Sequence, residues 1–306
     1  MDRLAAMRIF VAVVEVRGFS AASRVLRIPL PTVSRKIAEL EHHLGAQLLI
    51  RSTRKVTVTD SGQRYYEDAR RILDDIDDAE RLVSGEYRRP KGLLTITSPT
   101  LFGRLHVLPI TYSFMRIQPD IDIRCLLTNV VVDLLSEKIN LGIRIGRLSD
   151  NSLIAMQAGS VRQIICASPG YISRHGRPLS PDDLTSHQCI SFAWSATPVE
   201  WAFKMPSGEV RRVPVHARLM LNSIEGIVDA ARQDGGIAMM YSYQAAPHIA
   251  DGALEIVMDD YEIDPLPVSI IYPQSRLVPQ KVRAFIDFAI PRLRKNLAVV
   301  ADQCSA

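Results

Sequence analysis

The sequence predicts an α + α/β chain: an N-terminal winged helix–turn–helix, one long helix, and an α/β region large enough to divide into two lobes. Three observations carry that expectation. Residues 18–59 hold two short helical patterns broken at Ile28, Pro29 and Leu30, followed by a basic, β-prone hairpin. Residues 60–88 keep one apolar stripe at heptad spacing. From residue 92 onward, apolar runs of strand length alternate with helical segments, the pattern of an α/β domain with a largely parallel sheet.

The first helix carries Leu4, Met7, Phe10, Val11 and Val14 at helical spacing, which gives it one apolar face. Ser20 stands where an N-cap would start a second short helix ending near Leu26, because a serine hydroxyl accepts a bond from an unpaired first-turn N–H. The third helix is expected from about Pro31 to His43, with Gly45 closing it. Its stripe is Val33, Ile37, Leu40 and Leu44, and its other side shows Thr32, Ser34, Arg35, Lys36 and Glu39. Two β-prone runs, Leu48, Leu49, Ile50 and Val56, Thr57, Val58, bracket Arg51, Ser52, Thr53, Arg54 and Lys55. They predict a hairpin with a cationic tip suited to phosphates or a minor groove. Thr59 can cap the long helix, and Asp60 suits its positive end. Along that helix Tyr65, Ala69, Ile72, Ile76, Ala79 and Val83 recur at spacings of 4, 3, 4, 3 and 4. Such a stripe can pack on its own domain or pair with a second copy. Its length, beyond what a small winged domain needs to cover, favours the pair. Residues 87–92 are polar, with Pro90 and Gly92 as breakers, and mark the domain boundary. Strands are expected over 93–97, 121–127, 143–145, 164–167, 237–240, 254–257 and 268–272.

Charge is distributed unevenly along the 306 residues. Residues 1–60 carry ten Lys and Arg against five Asp and Glu, a net of +5, and the remainder carries 27 against 28, a net of −1. A polyanion is the natural partner of the first part only. A helix–turn–helix with a basic ribbon is the layout that sets one helix into a DNA groove and a wing beside it. Hydrophobic residues make up 47% and charged residues 23%, ordinary globular composition. No apolar run approaches the roughly 18 residues of a membrane span, and Glu15 and Arg17 interrupt the N-terminal stretch. A cytoplasmic protein without a signal peptide is therefore expected. Cys125, Cys166, Cys189 and Cys304 are widely spaced, with no C-x-x-C pair. Neither a disulfide framework nor a zinc site is expected, and no cofactor. Buried thiols are the first reading of Cys125 and Cys166, with a redox role as the alternative.

These residues resemble the LysR-type transcriptional regulators. The words that carry the resemblance are GFSAAS, VSRKIAELEHHLGAQLL and RSTRKVTVTDSG in the first third. LLTITSPTLFGR, DLLSEKINLGIRIG, NSIEGIVDAARQDGGIA and SIIYPQSRLVPQKVRAFIDF follow in the expected order. The resemblance implies a DNA-binding domain over 1–59, a dimerising linker helix over 60–88 and an effector-binding domain over 92–303. The last is similar to type 2 periplasmic binding proteins, with lobe I over 92–161 and 268–300 and lobe II over 162–267. It also implies a homodimer, assembled further into a tetramer, at an interrupted palindrome in promoter DNA. A small-molecule effector between the lobes would alter DNA bending and the access of RNA polymerase.

Carried over residue by residue, Ser34 and Arg35 match the serine–arginine pair of the family's recognition helix, and Arg51 and Arg54 the wing pair. Thr53, Lys36, Thr32, Pro31 and Ser20 complete the expected DNA-facing set. The chain departs from the pattern at Pro29 and Leu30, where Ser-Gln is common. Leu30 offers a base only apolar contact, for instance with a thymine methyl. For the effector, Ser98 and Thr100 follow the first strand, where hydroxyls and N–H groups can cradle an anion, although simple helix capping explains them equally well. Thr128 and Asn129 follow the second strand and Arg147 the third. Thr197 is the expected lobe II edge, with Phe102, Phe192 and Trp194 as apolar walls. Asn129 and Asn140 stand where an acidic residue is common; if Asn129 lines the cleft, loss of that negative charge favours an anionic effector, and a small anionic or aromatic metabolite is the expected partner. Arg104 is read as structural.

Catalysis is not expected. Ser98, His106 and Asp133 could be imagined as a hydrolytic set, but G-x-S-x-G, P-loop, G-x-G-x-x-G and H-E-x-x-H motifs are lacking. A periplasmic-type solute binder would share the lobes but leave the basic N-terminal module without a use.

Overall fold

The structure is a computed structural model that describes residues 1–51, 56–84, 90–148, 152–192, 199–274 and 278–304. The chain forms two compact units, Met1–Leu93 and Leu94–Ala306.

The first unit begins with α1 (Arg3–Glu15), whose first turn is capped by the Asp2 carboxylate accepting the Ala5 N–H at 3.1 Å. α2 (Phe19–Leu26) follows, then α3 (Leu30–Leu44). Arg27 and Gly45, both in the left-handed region, end α2 and α3 respectively. Val33, Ile37 and Leu40 of α3 are buried against Ala6, Ile9, Phe10, Val13 and Ala22. β1 (Leu49–Arg51) and β2 (Val56–Val58) pair antiparallel, with Leu49 opposite Val58. Glu41 ties α3 to this wing by accepting the N–H groups of Leu48 at 2.8 Å and Leu49 at 3.0 Å. Thr59 caps α4 (Asp60–Ser84): its hydroxyl oxygen accepts the Gly62 N–H at 2.9 Å. It also donates to the Gln47 carbonyl at 2.8 Å. Gly62 is required here, since a Cβ would run into the Leu48 carbonyl oxygen.

Three local expectations are corrected. α2 starts at Phe19 after Gly18, so Ser20 lies exposed inside its first turn and caps nothing. Leu44 is exposed at the end of α3 and leaves the stripe one turn early. The buried residues of α1 are Ala6, Ile9, Phe10, Val11, Ala12 and Val13, so Phe10 and Val11 of the expected stripe are inside, whereas Leu4 is exposed. That helix is apolar around most of its circumference, so spacing alone cannot choose its inner face.

The second unit opens with β3 (Gly92–Ser98). A single helical run then passes from α5 (Thr100–Phe102) through a π turn (Gly103–Val107) into α6 (Leu108–Ile117). β4 (Ile121–Leu127), β5 (Leu141–Ile145) and β6 (Leu153–Val161) follow. The chain crosses at Arg162 into β7 (Gln163–Ala167), α7 (Pro169–His175), β8 (Cys189–Phe192), β9 (Glu200–Lys204) and β10 (Val210–Pro214). Next come β11 (Ala217–Leu221), α8 (Ile224–Arg232), β12 (Ile237–Tyr241), α9 (Ser242–Ala250) and β13 (Glu255–Ile256). β14 (Leu266–Pro273) returns to the first sheet, and α10 (Gln280–Gln303) covers it.

Lobe I is thus built on the sheet β4-β3-β5-β14-β6 and lobe II on β11-β8-β12-β7-β13, with β9 and β10 as a separate hairpin. Neither sheet is largely parallel, contrary to the sequence pattern. β14 runs antiparallel to both β5 and β6, and β12 antiparallel to β7. Returning strands that are buried on both faces read as the same continuous apolar runs as parallel ones. β7 illustrates such burial: Ile164 and Cys166 enter one lobe II core, Ile165 and Ala167 the other. α9 belongs to both lobes, since Tyr243 and Ala246 pack in the lobe I core and Ala245 in lobe II. Arg162 clamps the crossing. Its guanidinium donates to Glu262 at 2.8 and 2.7 Å and to the Cys304 carbonyl at 2.8 Å.

Candidate functional site

Two places collect the chemistry: the outward side of α3 and the cleft between the two sheets of the second unit. On α3 the buried stripe Val33, Ile37 and Leu40 holds the helix on its domain. Arg35 and Lys36 both face Glu39, with Arg35 Nε 3.7 Å and Lys36 Nζ 3.1 Å from its carboxylate. Hydrogen bonding from Lys36, aided by both positive charges, holds the Glu39 carboxyl below its usual range. Pro29, Leu30, Pro31 and Arg35 are exposed, and Thr32 and Ser34 are half-exposed. The helix therefore brings Leu30, Pro31, Thr32, Ser34, Arg35 and Lys36 onto one short segment, while Ser20 sits exposed on α2. Arg51 closes β1 opposite Val56. Its side chain, and Thr53 and Arg54, lie outside the described residues.

The cleft is a cavity of about 440 Å³. Lobe I contributes Pro99, Leu101, Thr128, Asn129, Val130, Val131, Arg144 and Ile145. Lobe II and α9 contribute Gln163, Ser191, Phe192, Glu200, Trp201, Met239, Met240, Tyr241, Tyr243 and Gln244, together with Ile224. Most of these stand at strand ends, where α/β sheets open onto their ligands. Gln163 begins its strand rather than ending it, but the antiparallel register sets it opposite Tyr241, the last residue of β12.

Several expected effector residues are relocated. Ser98 is fully buried below the cleft, with its hydroxyl on the Pro99 carbonyl at 3.4 Å, and its own carbonyl accepts the Thr128 N–H at 2.9 Å. The Thr100 N–H donates to the Asn129 side chain at 3.0 Å. The anion cradle expected at this turn is thus occupied from within the chain. Thr100 does not line the cleft, although Pro99 and Leu101 on either side do. Phe102 is core rather than wall, packed 4.8 Å from the His106 ring and 5.2 Å from Tyr243. Arg147 is exposed and does not line the cavity; the cation that does is Arg144, three residues earlier. Thr128, Asn129 and Phe192 line it as expected. Trp194 and Thr197 lie outside the described residues. Asn140 is structural: its side chain accepts the Thr95 N–H at 2.7 Å. Arg104 faces Glu225 at 3.9 Å on the surface.

Arg144 is half-buried, and its guanidinium rests on the carbonyls of Ile143 at 3.2 Å and Val132 at 3.3 Å. Burial lowers its pKa, yet a guanidinium stays protonated at any physiological pH. Gln244 is held by accepting the Tyr241 N–H at 2.9 Å and donating to the Tyr243 hydroxyl at 3.0 Å. Burial pushes both tyrosine hydroxyls above their usual pKa, so both are neutral donors. The cleft is therefore a largely apolar, aromatic-walled space whose described lining residues include one fixed cation, Arg144, and one exposed carboxylate, Glu200. The periodicity of the sequence could not single out Arg144, Trp201, Tyr241 or Tyr243, because each reads as an ordinary strand or helix residue. The signal that could have found Arg144 is a charge in the otherwise apolar strand LGIRI.

Cys166, Cys189 and Cys304 are buried and Cys125 half-buried. Burial pushes the Cys189 thiol up to about 12 and Cys166 up as well. Among the described residues, no group of His, Cys, Asp and Glu could hold a metal ion, and no helix is long and apolar enough to cross a membrane.

Residues 4–63 match the bacterial regulatory helix-turn-helix protein, lysR family, and residues 88–294 match the LysR substrate binding domain. The chain is 33% identical to an HTH-type transcriptional regulator of Xanthomonas campestris pv. campestris, over 97% of this chain and 88% of the relative. It is similar to the full-length Vibrio cholerae virulence activator AphB, a member of the LTTR protein family. That match has 30% identity and a TM-score of 0.60, covering 94% of this chain and 98% of AphB. It is also similar to CrgA, a LysR-type transcriptional regulator from Neisseria meningitidis. Here identity is 28% and the TM-score 0.61, with the same coverage of 94% and 98%. With both domain families in sequence order and relatives along nearly its whole length, the chain belongs to the LysR family of transcriptional regulators.

Proposed function

We propose that this regulator acts in the cytoplasm on promoter DNA and is switched by a small aromatic carboxylate held in the inter-lobe cleft. The observation that carries the effector class is Arg144 among aromatic walls: a cation that, among the described residues, rests on backbone carbonyls, beside Phe192, Trp201, Tyr241 and Tyr243. A carboxylate would take the guanidinium by charge-assisted hydrogen bonds, and a ring would fill the apolar remainder. Neutral Asn129, in place of an acid, leaves an anion unopposed from that side. DNA contact is assigned to Leu30, Pro31, Thr32, Ser34, Arg35 and Lys36 on α3, with Ser20, Arg51, Thr53 and Arg54 around it. Two copies pair through α4 and a tetramer forms on an interrupted palindrome. Effector binding shifts the lobe arrangement and thereby DNA bending and access for RNA polymerase. No catalytic step is assigned to the chain.

The test is thermal unfolding of the full chain against aromatic carboxylates such as benzoate and against the matching amides. A carboxylate present at 100 times its Kd should add about 2.7 kcal/mol of stability. The amide should add much less, and Arg144→Gln should remove the difference. Equal stabilisation by acid and amide would overturn the assignment of the effector as an anion.

A further inference from the structure

The start of α3, Pro29 to Pro31, is built without the polar side chains that a groove-reading helix normally presents. Pro29, Leu30 and Pro31 are consecutive and exposed, with Leu30 retaining 40% of its surface. They are not core residues, since Val33, Ile37 and Leu40 hold the helix on its domain. The backbone is equally sparing. A helix start ordinarily offers several unpaired N–H groups to a phosphate. Here Pro29 and Pro31 have none, and the Thr32 N–H is used on the Pro29 carbonyl at 2.9 Å. Of the positions from Pro29 to Thr32, only Leu30 keeps an N–H that can face outward. Neither a phosphate clamp nor a hydrogen bond to a base edge can be made by the side chains of Pro29, Leu30 and Pro31. A base edge rich in donors and acceptors set against them would lose its water without gaining a partner.

We propose that this apolar turn is a specificity element that selects the 5-methyl group of thymine, with Leu30 making the contact. The inference rests on the reading of α3 as the DNA-reading helix. Thymine alone among the four bases carries an apolar group on its major-groove edge. The contact is van der Waals in nature, so it discriminates by the presence of a methyl group and not by hydrogen-bond pattern.

The experiment selects binding sites for the full-length protein from random DNA, then replaces each thymine of a half-site in turn by deoxyuridine. That change removes the methyl and nothing else. One position per half-site should weaken binding by roughly 3- to 10-fold, the effect of one methyl group leaving water. In L30A the same replacement should cost nothing, and 5-methylcytosine should be tolerated there better than cytosine by the unaltered protein. L30Q should select a different base at that position. The wild-type arm needs no variant to fold, and Leu30 is exposed enough for its truncation to leave the helix intact. Binding that ignores every deoxyuridine replacement, or a response that persists in L30A, would overturn the proposal while leaving the DNA reading in place. Absence of any selected site would overturn both.

Discussion

His106 shows what one buried side chain contributes to behaviour in solution. It is 7% exposed beside Phe102 and Tyr243, and its Nε2 has no hydrogen-bond partner among the described residues. Burial alone lowers its pKa to about 4. The unfolded chain, with an ordinary value near 6.5, takes up a proton that the folded chain refuses. Stability contributed by the neutral ring is therefore present above about pH 6.5 and is lost as pH falls towards 4. The loss is about 1.4 kcal/mol per pH unit across that window. Urea unfolding of wild type and His106→Leu at pH 7 and pH 5 measures it: the variant should lose less stability on acidification. Equal losses would show that another group is the acid-labile one.

At the scale of elements, α3 carries its own brake. Glu39 sits on the side of the helix that carries Arg35 and Lys36 and draws both cations towards itself. If α3 lies against DNA as proposed, the same carboxylate faces phosphates of like charge, and Arg35 must leave it to reach them. Glu39→Gln should tighten binding to unrelated DNA several-fold and to specific DNA by a similar factor. Titrations of both DNAs at fixed salt measure this, and unchanged or weaker binding would show that Glu39 positions Arg35 instead of restraining it. The wing and α4 are coupled to α3 through short-range bonds from Glu41 and Thr59.

At the scale of the molecule, α9 packs on two cores, and α4 is the element proposed to pair with a second copy. The start of α4 is packed within its own unit, where Ala69 is fully buried and the Tyr65 ring lies 5.4 Å from Phe10. Further along, Ile72 and Ile76 remain half-buried in the single chain. If that stretch is the seam of a dimer, Ile76→Asp should convert dimer to monomer in sedimentation. Its specific DNA affinity should fall at least 100-fold, by loss of the second recognition helix. A variant that sediments like wild type would place the seam elsewhere. α9 touches both lobe cores and supplies Tyr243 and Gln244 to the cleft.

By itself the sequence determined the first unit almost completely: the α3 stripe of Val33, Ile37 and Leu40, the closing Gly45, the Thr59 cap and the paired runs of β1 and β2. These are set by short-range sterics and hydrogen bonds, which leave their mark within a few residues. In the second unit it marked seven of the strands near their places, Ile121–Leu127 to the residue. It missed Leu153–Val161, Cys189–Phe192, Glu200–Lys204, Val210–Pro214 and Ala217–Leu221, which are short or mix apolar and polar residues. Only the tertiary structure decided which face of α1 turns inward, that the sheets are mixed, and that Ser98 and Phe102 are core while Arg144 and Tyr241 line the cleft. The cleft joins residues from Pro99 to Gln244, so whether a strand-end side chain meets ligand or core depends on the packing of distant segments, and no local pattern records it.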